Sequence, residues 1–141
     1  MNGPIVVGTD GSETAMKAVV EAIRLAGLLN EALHIVSVYK PITGQGSLPP
    51  EFQGAVGPAS GVEPVLEDAA ARARAAGVEV NTHPRTGDPA AILLDVAEEV
   101  DAGLVVVGNK GIGSAKRFVL GNVPSKVVHH SPCSTLVIHT G

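Results

Sequence analysis

Leu104-Val105-Val106-Val107-Gly108-Asn109-Lys110-Gly111 is the stretch that decides the fold. Its four apolar residues offer no polar face to water, so they read as a central strand of a parallel sheet, buried on both sides. The run breaks off into a polar turn rich in glycine. A second run of the same kind, Ile5-Val6-Val7-Gly8, leads into Thr9-Asp10-Gly11-Ser12. Two such strands, each followed by a glycine turn, point to an α/β fold.

Working outward, short apolar runs alternate with amphipathic stretches. Asp10, Ser12 or Thr14 can cap a first helix, in which Ala15, Val19, Ile23 and Ala26 recur at helical spacing and Gly27 reads as the stop. Leu33 to Tyr39 forms the second strand. A second helix covers about 62–76, with Val65, Leu66, Ala69, Ala73 and Ala76 inward and an Asp68–Arg72 pair on its wet side. Val78 to His83 alternates strictly, which fits an edge strand with one solvated face. Asp88-Pro89 starts a third helix, since proline at the first helical position gives up an N–H that had no partner there. A last helix runs over about 123–130, and Thr135 to Ile138 is the fifth strand. The order is β-α-β-loop-α-β-α-β-α-β with right-handed crossovers. Residues 41–61, with five Gly, four Pro and one charge, read as a mobile insertion in a single domain spanning 1–141.

The composition narrows the function. The chain has 141 residues, 45% hydrophobic and 17% charged, with a net charge of −4 and only 2% aromatics. That argues against a grip on a nucleic acid polymer, which needs a basic field and aromatic platforms. No apolar run approaches a membrane span, and no secretory leader is read at Met1-Asn2-Gly3-Pro4. One cysteine, Cys133, forms no internal disulfide, so a reducing cytoplasm is the expected compartment. The charge is unevenly spread. Residues 1–101 hold fourteen acids and six Lys or Arg, a net −8; residues 102–141 hold Lys110, Lys116, Arg117 and Lys126 and no acid, a net +4. A carboxylate-free segment suits an anionic partner.

That segment carries a spaced motif: Gly108-x-x-Gly111, nine residues, then Gly121-Asn122-Val123-Pro124. Glycines let backbone N–H groups approach an anion without a Cβ in the way. Gly121-Asn122 opens the last helix, where unpaired N–H groups and the helix dipole favour phosphate, and Asn122 suits as its cap. Lys110 reaches phosphate oxygens as a point charge. In a parallel sheet such groups meet a ligand beyond the carboxyl ends of the strands, where the strand order reverses. Neither a P-loop nor a Gly-x-Gly-x-x-Gly follows the first strand.

The spacing Gly108-x-x-Gly111-(nine)-Gly121-Asn122 resembles the ATP-binding signature of the universal stress protein family. So do the opening Val6 to Ser12, Gly87-Asp88-Pro89, and the closing Ser131 to Ile138. Where that family usually has Ser or Thr, this chain has Asn122. The resemblance implies an open five-stranded parallel sheet of order 3-2-1-4-5 with helices on both faces. It implies ATP, possibly with Mg²⁺, in the crevice. Thr9 and Asp10 would meet the adenosine part and Val38 would lie near adenine. Gly108, Lys110 and Gly111 would line ribose and phosphates, and Gly121, Asn122 and Val123 would hold phosphate. It further implies a homodimer built along the fifth strand; Thr135 to Ile138 carries no proline or charge to blunt an edge, which agrees.

Other chemistries find less support. His129-His130-x-x-Cys133 is the tightest His/Cys grouping, but adjacent helical side chains point about 100° apart, so no metal site is expected. Cys133 reads as a small buried thiol. Ser12 lies in no nucleophile elbow, and no nucleophile, base and orienting acid assemble from spacing. The expectation is an ATP-binding regulatory module with at most weak ATP hydrolysis. The alternatives are a binder of AMP or cyclic AMP, an interaction module without nucleotide, and a slow ATP hydrolase.

Overall fold

The computed structural model describes residues 2–39, 61–109 and 121–140. Its elements are β1 (Ile5–Gly8), α1 (Glu13–Leu29), β2 (Leu33–Tyr39), α2 (Glu63–Ala75), β3 (Val80–Thr86), α3 (Pro89–Glu99), β4 (Leu104–Gly108), α4 (Asn122–His130) and β5 (Ser134–Ile138). All strand pairs are parallel, and the sheet order is β3-β2-β1-β4-β5. This is the expected architecture. The 41–61 segment lies, apart from Gly61, outside the described residues.

The two all-apolar strands sit at the centre because only there are both faces covered. Val7, Ile35 and Val106 face α1 and α2, whereas Val6, Val36 and Val105 face α3 and α4. All six are 2% exposed or less. Each buried valine or isoleucine side chain contributes about 1.5–3 kcal/mol. Ala18, Ala22 and Ala26, four apart on one face of α1, are at most 1% exposed, and their small side chains let the helix lie close against the sheet.

Helix ends follow local chemistry. The Ser12 side chain caps α1 by accepting from Ala15 N at 3.1 Å, and Ser12 N donates to Asp10 Oδ1 at 2.9 Å. The Asp88 side chain caps α3 by accepting from Ala91 N at 3.1 Å, with Pro89 first in the helix. Three sequence readings are corrected. Helix α1 passes through Gly27 and ends at Asn30, which takes the left-handed conformation (φ 56°) and returns its N–H to Ala26 O. Ala76 lies beyond α2 and is exposed; Ala70 is buried in its place. Asn122 is the first residue of α4, not its cap, which is Gly121.

β3 is the expected edge strand, but it starts at Val80 and continues to Thr86. Pro84 fits within it because an edge strand has one side without ladder partners.

Candidate functional site

The chain leaves β1 and β4 in opposite directions: β1 connects through α1 to β2, and β4 connects through α4 to β5 on its other side. The gap between their carboxyl ends is a cleft of about 180 Å³. Gly8, Thr9 and Asp10 form one wall and Val107 and Gly108 the other. Val36 and Val38 of β2, with Leu93 of α3, supply an apolar surface. The first turns of α3 and α4 close over it with Pro89, Val123 and Pro124.

Hydrogen bonds hold the β1 wall. Thr9 N donates to Val36 O at 2.9 Å, and the buried Ser37 hydroxyl donates to Thr9 O at 2.7 Å. Thr9 Oγ1 accepts from Gly11 N at 3.1 Å. Gly11 has φ +86°, and a Cβ there would come within 2.9 Å of Val65 Cγ2 in α2. Glycine is therefore required twice over, by the backbone and by the close helix. At Gly8 a Cβ would meet Leu93 Cδ1 at 3.4 Å, so the missing side chain keeps this end of the cleft open.

Beyond Gly108 the other wall is pinned by Asn109. Its N–H donates to Ile138 O at 2.9 Å, and its carbonyl accepts from Gly121 N at 2.9 Å. Gly121 thus enters α4 beside the end of β4. Unlike Ser12 and Asp88, which cap α1 and α3, the Gly121 cap of α4 makes no side-chain bond among the described residues. Lys126 of α4 lies 3.8 Å from Asp88, an exposed pair that joins the two helix starts flanking the cleft. Asp10 is the only charged side chain in the lining among the described residues.

Of the residues singled out from the sequence, Thr9, Asp10, Val38, Gly108 and Val123 come together in the lining. Gly121 and Asn122 do not line it, although they directly precede Val123. Lys110 and Gly111 lie outside the described residues. The sequence reading missed Ala15, Val36, Pro89, Leu93 and Val107. The Asp88-Pro89 start carried a usable signal, because a helix that follows a parallel strand begins at the carboxyl edge of the sheet.

Four of the five histidines are strand or helix-end residues, and His139 follows the end of β5. His34 and His83 meet across β2 and β3, and His129 and His130 end α4. Among the described residues no three His, Cys, Asp or Glu side chains gather to hold a metal ion. Cys133 is half-buried beside Ser131, packed against the α3–α4 core layer. No described helix is long and apolar enough to cross a membrane.

The model of the universal stress protein family matches residues 1–139. Universal stress protein Rv1636 of Mycobacterium tuberculosis is 35% identical over 140 residues, covering 96% of this chain and 95% of that protein. A universal stress protein crystallised in complex with cAMP is 32% identical with a TM-score of 0.75, covering 99% of this chain and 98% of the other. A universal stress protein from Archaeoglobus fulgidus in complex with dAMP is 25% identical with a TM-score of 0.70, covering 97% of this chain and 98% of the other.

Proposed function

Because the chain belongs to the universal stress protein family, we propose that it binds an adenine nucleotide in the cleft between β1 and β4 and acts as a nucleotide-responsive regulatory module. One observation carries this reading: an apolar surface of Val36, Val38 and Leu93 lies beside a helix start that has no side-chain cap. Adenine rests on aliphatic side chains, and phosphate takes the N–H groups at the start of α4 and the positive end of its dipole. The cyclic AMP and dAMP complexes of two related proteins support the adenine class.

Within that class, ATP is the ligand proposed, because a triphosphate makes fullest use of the acid-free segment, Lys110 and Gly111 included. Asp10 has one carboxylate oxygen engaged by Ser12 N. The other suits Mg²⁺ carried in on the phosphates, a cation commonly held through one or two carboxylates. AMP or cyclic AMP is the second reading, favoured by the related complexes. Among the described residues no nucleophile, base and acid converge in the lining, and binding rather than turnover is the proposed work.

The protein is further proposed to work in the cytoplasm, as a single domain and as a homodimer paired along β5. That strand is an edge of the sheet, with four of its five residues only half-buried and no charge or proline along it.

The test is to identify by mass spectrometry the nucleotide that co-purifies, then titrate the emptied protein calorimetrically with ATP, ADP, AMP and cyclic AMP. Saturable binding of one of them supports the reading. A folded protein that binds none at millimolar concentration removes it.

A further inference from the structure

Thr140 follows β5 and is 1% exposed, although its side chain is polar. Its backbone N–H and its hydroxyl both donate to Asn109 Oδ1, at 2.8 and 2.9 Å. Its carbonyl accepts from Lys17 Nζ of α1 at 3.1 Å. An N–H can only donate, so it fixes which end of the Asn109 amide faces Thr140. The same Asn109 binds Ile138 O through its N–H and Gly121 N through its carbonyl. One residue therefore joins the end of β4, the start of α4 and the tail of β5. Asn109 adjoins Gly108, and Gly121 lies two residues before Val123; both Gly108 and Val123 line the cleft. Neither Asn109 nor Thr140 lines it.

We propose that Asn109 and Thr140 are positioning residues that couple the nucleotide cleft to the tail of β5. Asn109 holds the β4 wall and the α4 start at the spacing the ligand needs, and Thr140 holds Asn109. Coupling is reciprocal, so a bound nucleotide tightens the Thr140 attachment as much as that attachment tightens binding. This inference rests on the adenine-nucleotide reading.

The nucleotide that binds best to the unmodified protein is the probe. Thr140→Val, which loses the hydroxyl donor but keeps its shape, weakens affinity about fivefold or more. Thr140→Ser, which keeps the hydroxyl, binds like the unmodified protein. Asn109→Ala weakens affinity more than Thr140→Val, and adding Thr140→Val to it costs nothing further, as expected if the two act through one contact. A second measurement needs no variant. Amide exchange at Thr140 slows on nucleotide binding by more than it does in β3, the far edge of the sheet. A folded Thr140→Val protein with unchanged affinity overturns the coupling, and so does exchange at Thr140 that slows no more than in β3. If the unmodified protein binds no nucleotide, the nucleotide reading falls and the coupling falls with it. If it binds and only the coupling tests fail, the nucleotide reading stands.

Discussion

His34 Nδ1 and His83 Nε2 lie 2.9 Å apart across β2 and β3, close enough for one ring to donate to the other. The rings are half-buried, and their centroids are 5.1 Å apart. Such a bond needs a neutral acceptor ring, and two charged rings at this distance repel. Burial holds both imidazoles below the ordinary histidine range. Around His83, the charge of His34 and the guanidinium of Arg85 push further down and Glu99 pulls up, whereas Glu79 pulls His34 up. Arg85 is itself held by a two-pronged pair with Glu99 at 2.8 and 2.9 Å.

The sign of the pH dependence follows. The unfolded chain binds these protons first, near pH 6.5, and the folded chain resists them. Stability is therefore full above about pH 6.5 and falls as the pH drops through the lowered folded values. Urea melts at pH 7.5 and 5.5 should show a lower midpoint at the acid value. In His83→Gln the acid loss should shrink. An unchanged acid loss would show that this pair does not set it.

Gly121 caps α4 with φ −61° and ψ 166°, a conformation open to any residue. Gly121→Val is therefore expected to fold, with a small loss from poorer capping. Its branched side chain would stand where phosphate is proposed to meet the α4 start. Calorimetric titration should find nucleotide affinity reduced at least tenfold with the circular dichroism spectrum retained.

Leu93 is 3% exposed and belongs both to the core and to the cleft lining. Leu93→Ala should lower unfolding free energy by about 2–5 kcal/mol. It should also weaken nucleotide binding, since the apolar surface proposed to carry the base loses its largest member. Denaturant melts with and without ligand separate the two effects.

The helix caps give smaller, separable losses. Ser12→Ala and Asp88→Ala should each cost about 1 kcal/mol in chemical denaturation, because each leaves a first-turn N–H without its acceptor. The two sites share no contact, so the double variant should lose close to the sum of both.

Val137 lies on β5, the proposed dimer edge. Val137→Lys puts a charge on that edge, which natural sheets use to prevent pairing. Light scattering after size exclusion should show monomer for the variant and dimer for the unmodified chain. A dimer that survives the lysine would move the interface elsewhere.

The element order was legible from local pattern. Two runs without a polar face could only be interior strands, and Asp88-Pro89 announced the start of α3 through proline's fixed φ and missing N–H. The glycine spacing of the acid-free segment led to the family resemblance and, with it, to the sheet order. Local pattern misplaced the end of α1, because a helix passes through glycine when flanking residues such as Ala26 are buried, and the stop is set by the residue free to turn left-handed, Asn30.

By itself, then, the sequence determined which segments are strands and helices, which strands are central, and which of them run into glycine turns, since each depends on neighbours along the chain. The tertiary structure alone decided that Leu93 and Pro89 enter the cleft, that His34 meets His83, and that Asn109 holds Thr140. These contacts join residues brought together by crossovers between parallel strands. Periodicity records which face of an element is buried; what it is buried against depends on how the elements pack.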